Sequence, residues 1–176
     1  MTAHPPGERN PRAEDQRGLF ATVGRLVEAK IRFVVIGGVA AVAQGAVWVT
    51  QDVDICYESS EDNRQKLAAL LASLNGYPRG IEPGLPFIMD ARTLRDHELL
   101  TLSTDVGDLD LLRLVAGVGD YEDCLARSEE VEVDGVAFRV LALTALIDAK
   151  RASGRPRDID HLRILEVMLE ERSPPP

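Results

Sequence analysis

Cysteine is scarce: only Cys56 and Cys124 occur among 176 residues. Two thiols make no disulfide framework, and neither has metal-ligand spacing to a histidine. Cys56 lies inside a strand-like run and reads as a small buried hydrophobe. No apolar run approaches the roughly 20 residues of a membrane span. The opening MTAHPPGERNPRAED lacks the apolar segment of a signal peptide. Together these point to a cytoplasmic protein. Positive charge is also short, with 20 Lys and Arg against 29 Asp and Glu, a net charge of -9. That balance argues against a long nucleic-acid duplex as partner, because phosphate binding wants a basic surface. No G-x-x-x-x-G-K-[ST] occurs, and Gly37, Gly38 and Gly45 do not make G-x-G-x-x-G, which excludes two common phosphate-binding loops. No internal repeat is evident.

What is present suits one domain. The expected boundaries are a disordered tail over 1–15 and a single domain over 16–172, helical from about 141. Ser173 to Pro176 forms a short Pro-rich tail. Apolar positions Leu19, Phe20, Val23, Leu26 and Val27 predict an amphipathic helix from Gln16 to about Lys30. Ile31–Ile36 reads as a buried strand. Gly37-Gly38 ends it, and Val39–Ala46 reads as a short helix. Val53–Tyr57 is a second strand. Ser59 or Ser60 caps the next helix, which runs to about Leu74. A loop over Gly80–Pro86 and a short helix within Phe87–Arg95 follow. Strands are expected at 97–104 and 109–114, then a helical turn near Tyr121–Arg127. Asp134-Gly135 between alternating runs predicts a hairpin. Helices over Leu141–Ala152 and Ile159–Glu171 close the chain. This order is neither regular βαβ nor all-β; it predicts an α+β fold with a mixed sheet flanked by helices.

The chemistry centres on Phe33–Tyr57. Asp52 and Asp54 are two apart on a strand and point to one face. Alone, such a pair is often just a solvated strand end. Two adjacent carboxylates repel, and a divalent cation between them relieves the repulsion. Oxygen ligands suit Mg²⁺, which is commonly held by one or two carboxylates and substrate phosphates. Gly37-Gly38, between a strand and a helix start, lets a backbone approach a ligand, and free helical N–H groups suit phosphate.

Strand, Gly-Gly, short helix and then D-x-D resembles the DNA polymerase β-like nucleotidyltransferase superfamily. The pattern here is Gly37-Gly38-Val39, twelve residues from Ala40 to Gln51, then Asp52-Val53-Asp54. GGVAAVAQGAVWVTQDVDI is most similar to a small bacterial branch that includes abortive-infection and toxin–antitoxin-type nucleotidyltransferases, and the resemblance spans about Ile31 to Leu165. It implies a nucleotidyltransferase fold with C-terminal helices. It also implies Mg²⁺ or Mn²⁺ as cofactor, a nucleoside triphosphate as substrate, and Asp52, Asp54 and Asp110 as metal-binding catalytic acids. Asp108 is the reserve for Asp110. Gly37, Gly38, Val39, Thr50, Lys150, Arg155 and Asp158 are the implied nucleotide-binding positions. Asp158 has a rival reading as the N-cap of the last helix. Val39 stands where relatives often carry Ser, and Trp48 where they often carry Arg. Those departures motivate a rival reading, a nucleotide- or partner-binding module of the same fold. A metal-dependent hydrolase lacks a histidine near the acids: His4, His97 and His161 are far off in sequence. His97 is expected at a strand start and His161 on a helix surface. The acceptor is left open between a protein hydroxyl, a transfer RNA end and a small molecule, with a cognate antitoxin as the conceivable protein partner.

Overall fold

The computed structural model describes residues 11–82, 84–155 and 158–172, with side chains from residue 18 onward. The expected tails fall outside these residues at 1–10 and 173–176. Helix α1 (Pro11–Glu28) begins earlier than the expected end of the N-terminal tail. Proline suits a first helical turn, where its missing N–H has no partner to lose.

The remaining elements are β1 (Phe33–Ile36), α2 (Gly37–Ala43), β2 (Asp52–Tyr57), α3 (Glu61–Ser73), β3 (Tyr77–Pro78) and α4 (Ala91–Asp96). After them come β4 (Leu99–Thr104), β5 (Gly107–Leu112), α5 (Tyr121–Ala126), β6 (Ser128–Val133), β7 (Val136–Leu141), α6 (Leu143–Ser153) and α7 (Asp158–Arg172). The expected α+β class holds: seven strands form one mixed sheet in the order β3-β4-β5-β2-β1-β7-β6. β1 is antiparallel to β2 and parallel to β7, and β2 is parallel to β5. Helices flank this sheet.

The central strands carry the core. All four residues of β1 are buried, as are Val53, Ile55, Cys56 and Tyr57 of β2. Leu19, Val23 and Leu26 of α1 and Leu67 and Leu71 of α3 join the same cluster. Burying such side chains contributes about 1.5–3 kcal/mol each. The β6–β7 hairpin turns through Asp134 (φ 51°) and Gly135 (φ 78°), the positive angles that the Asp-Gly pair predicts.

Several boundaries moved. α2 starts at Gly37, so both glycines lie in its first turn rather than before it. β4 starts at Leu99 because His97 caps α4; the ring is exposed, with Nδ1 2.8 Å from the Thr93 carbonyl. Ser60, not Ser59, caps α3, its hydroxyl accepting from Asn63 N–H. Among the described residues no helix is long and apolar enough to cross a membrane.

Asn63 is fully buried and joins three segments. Its Oδ1 accepts from the Arg32 N–H at 2.8 Å. Its Nδ2 donates to the carbonyls of Arg32 at 3.0 Å and Glu58 at 2.8 Å. The amide thus fastens the start of α3 to the entry of β1 and the exit of β2. Asn63→Ala leaves the Arg32 N–H and the Glu58 carbonyl without this partner and is expected to cost about 2–3 kcal/mol. A thermal melt followed by circular dichroism should fall by about 5–10 °C. An unchanged melting temperature would refute this role.

Candidate active site

The register of β2 against β5 builds the site. Asp54 pairs with Asp110 and Asp52 with Asp108, so four acids line one face of two neighbouring strands. Asp52, Asp54 and Asp110 each offer a carboxylate oxygen, and these lie within 4.8 Å of one another. Of the two acids on β5, the cluster takes Asp110. Asp108 bonds instead to Ser103 Oγ at 2.8 Å.

Burial and the charges of Asp52 and Asp110 push the Asp54 carboxyl up to about 7. Burial also raises Asp110, with Arg79 opposing the shift and Asp52 adding to it. The cluster therefore holds more negative charge than its surroundings tolerate. Oxygen donors only, three in number and close together, fit a hard divalent cation such as Mg²⁺ or Mn²⁺.

Gly37-Gly38 is required by close approach. Gly37 has φ +61°, and a Cβ there would come within 2.3 Å of Asp54 Oδ2. At Gly38 a Cβ would meet Thr50 Oγ1 at 2.6 Å. The first turn of α2 is thus laid against the acid and the threonine. Thr50 Oγ1 lies 3.3 Å from the Asp52 backbone oxygen and 3.3 Å from Asp52 Oδ1, which steadies that carboxylate.

A cleft of about 560 Å³ opens over these groups. Gly37, Gly38, Thr50, Asp52, Asp54, Asp110, Lys150, Arg155 and Asp158 all line it, so nine of the ten residues singled out from the sequence meet there. Val39 is the exception: at 1% exposure its side chain belongs to the core, leaving only its backbone for a ligand. Lys150 Nζ is 2.9 Å from Asp158 Oδ1, and Ser153 Oγ donates to Asp158 Oδ2 at 2.6 Å. Burial works against the Asp158 charge, but Ser153 and Lys150 outweigh it and hold the carboxyl below its usual range. The expected N-cap reading gives way, because α7 begins at Asp158 and the carboxylate serves Lys150 and Ser153.

His161 and Arg79 had no part in the expected site, and Trp48 entered it only as a departure from the motif. His161, expected on a helix surface, lines the cleft and stacks on Trp48, with ring centroids 4.3 Å apart and planes at 25°. Lys150 Nζ stands 5.8 Å from the centre of the Trp48 ring. Arg79 carries the largest surprise. Its Nη1 lies 3.2 Å from Asp108 Oδ2 and 3.7 Å from Asp52 Oδ2, and Nη2 bonds to Asp110 Oδ1. The hint for His161 is its place near the acidic and basic residues that open α7; a lone Arg after the two-residue strand β3 offers none.

No protein-family model and no curated protein matches this chain. Solved structures do. A candidate nucleotidyltransferase of Thermotoga maritima shares 22% identity, with a TM-score of 0.55 over 94% of this chain and 98% of that one. The lincosamide antibiotic adenylyltransferase LnuA, bound to lincomycin, shares 15% with a TM-score of 0.58, covering 86% of this chain and 96% of its own. ANT(2″)-Ia in complex with adenylyl-2″-tobramycin shares 16% with a TM-score of 0.54, covering 86% and 85%. The chain has the nucleotidyltransferase fold.

Two outcomes follow from the site. Asp54 has a folded value of about 7 against 3.8 when unperturbed, so its contribution to stability is complete below pH 3.8. That contribution is lost as pH rises through about 7. With chelator present, the urea midpoint of the wild type should therefore fall, between pH 5 and pH 8, relative to that of Asp54→Asn. Parallel midpoints would refute the raised value. Gly37→Ala should cost about 1–3 kcal/mol in the same assay, since its Cβ meets Asp54 at a left-handed backbone position. Stability equal to wild type would show that the acid can move aside freely.

Proposed function

We propose that this protein transfers a nucleoside monophosphate from a nucleoside triphosphate to an acceptor hydroxyl, working in the cytoplasm. The observation that carries the reading is the convergence of Asp52, Asp54 and Asp110 beside Gly37-Gly38 in one cleft. The nucleotidyltransferase fold supports it.

Asp52, Asp54 and Asp110 are the residues that would hold Mg²⁺ or Mn²⁺. Such an ion, when bound, neutralises phosphate charge and orients the phosphoryl group for in-line displacement. The backbone at Gly37, Gly38 and Val39 faces the phosphates, and Thr50 keeps Asp52 in place. Lys150 and Arg155 supply positive charge to the leaving pyrophosphate, with Asp158 fixing the ammonium of Lys150. Asp110 accepts the proton of the acceptor hydroxyl as the hydroxyl's own oxygen bonds to the α-phosphorus. The bond from that phosphorus to the bridging oxygen breaks, and pyrophosphate departs. Most of the rate comes from positioning and charge neutralisation.

Two structural neighbours are named for adenylyl chemistry on antibiotics, which favours ATP and a small-molecule hydroxyl as the first pair to test. The net charge of -9 weighs against a transfer RNA end. A toxin–antitoxin or phage-defence setting, with a cognate antitoxin as partner, rests on the sequence resemblance alone.

A second reading is a binding module with weakened catalysis. It is favoured by the ion pairs of Arg79 with two of the three acids, by the buried Val39 side chain, and by Trp48 in the cleft wall.

Transfer of label from α-labelled ATP with Mg²⁺ or Mn²⁺ to a panel of hydroxyl acceptors tests the first reading. Asp54→Asn should reduce transfer on the order of 100-fold or more. Equal labelling by both proteins would overturn it. Calorimetry with Mg²⁺–ATP separates the second: binding without turnover across the panel supports the module, and no binding removes both.

A further inference from the structure

Arg79 lies outside the motif that marks the site, yet its guanidinium pairs with Asp52, Asp108 and Asp110. Two of these belong to the triad whose oxygens converge within 4.8 Å. Asp108 does not; it sits two residues before Asp110 on β5, opposite Asp52.

The root of Arg79 is fixed. Its backbone N–H donates to the Thr101 carbonyl at 2.9 Å, and Thr101 of β4 pairs with Asp110. The side chain beyond this anchor is 28% exposed. A guanidinium and a divalent cation cannot share the same carboxylate oxygens at close range. Their like charges repel strongly where water is partly excluded. A cation that draws Asp110 and Asp52 together with Asp54 sets a second positive charge beside the guanidinium and weakens its hold on both. Asp108, held by Ser103 at 2.8 Å, is the acid left within its reach.

From this geometry we infer that Arg79 is the resident counter-ion of the carboxylate cluster: it competes with a divalent cation for Asp110 and Asp52, and passes to Asp108 when the cation binds. Arg79 is thus a positioning residue that sets the metal affinity of the site. The inference rests on the reading of Asp52, Asp54 and Asp110 as metal ligands.

The test is Mn²⁺ titration, read by water-proton relaxation, into chelator-stripped full chain. Wild type, Arg79→Gln, Arg79→Lys, Asp108→Asn, Asp54→Asn and the Arg79→Gln/Asp108→Asn double variant are compared. Arg79→Gln should bind Mn²⁺ about tenfold more tightly, the size of a typical coupling between two ligands of one site. Arg79→Lys should fall between, since an ammonium cannot fork across several acids. Asp108→Asn should weaken binding several-fold in the wild-type background and much less in the Arg79→Gln background. Equal weakening in both backgrounds would mean simple charge loss and overturn the hand-over. Melting temperatures give a second readout. Arg79→Gln should melt below wild type in chelator and show the larger rise on adding Mn²⁺. If wild type binds Mn²⁺, Asp54→Asn does not, and Arg79→Gln binds as wild type does, this inference alone fails. If none of the proteins binds Mn²⁺, the metal reading fails with it.

Discussion

Repulsion among carboxylates is the constraint around which this molecule is arranged. The parallel pairing of β2 with β5 sets Asp54 beside Asp110 and Asp52 beside Asp108. Strand spacing of about 4.8 Å brings like charges close in a partly buried place. The surroundings respond at several points. Asp54 takes up its proton far more readily than an ordinary carboxyl. Thr50 contacts Asp52, Ser103 donates to Asp108, and Arg79 bridges the two strands. Each response reduces local charge or spreads it over donors. A sheet built for stability alone would carry apolar residues at these positions, as it does at the alternating Val53, Ile55, Leu109 and Leu111.

The glycines belong to the same arrangement. Helix α2 could start with residues of better helical propensity, since glycine costs about 1 kcal/mol relative to alanine in a helix. At Gly37 and Gly38 the space is taken by Asp54 and Thr50. The backbone and the acid are therefore close because side chains are missing. Further away, α6 and α7 close the cleft through Lys150 and Asp158. The far end of α7 is tied down too, with Arg172 donating to the Gln44 carbonyl at 2.8 Å and pairing with Glu129.

Much of this was legible in the chain. Alternation along β2 and β5 put Asp52, Asp54 and Asp110 on shared faces, because strand geometry has a fixed period of two. The choice of Asp110 over Asp108 was only a preference, since register between distant strands leaves no local mark. Arg79 was illegible for a related reason: β3 has two residues, too few for any periodicity, and the Gly- and Pro-rich stretch after it reads as plain loop. Trp48 stands out in the chain as a departure from a motif, but nothing marks it as a partner for His161, 113 positions later in a helix that begins amid charges. The burial of the Val39 side chain leaves no mark in the motif spacing. The resemblance implies a nucleotide-binding position there, and a helix starting at Gly37 turns its side chain into the core. The early start of α1 at Pro11 was hidden by a polar composition without apolar spacing.

The stack of Trp48 on His161 has one further consequence. The chain contains a single tryptophan, and it stands in the wall of the cleft, stacked on an imidazole and near the ammonium of Lys150. Indole emission from this protein therefore originates at one known place, next to two groups that alter it by contact and by charge. The protein carries its own optical reporter of what happens in the cleft, with no label to attach.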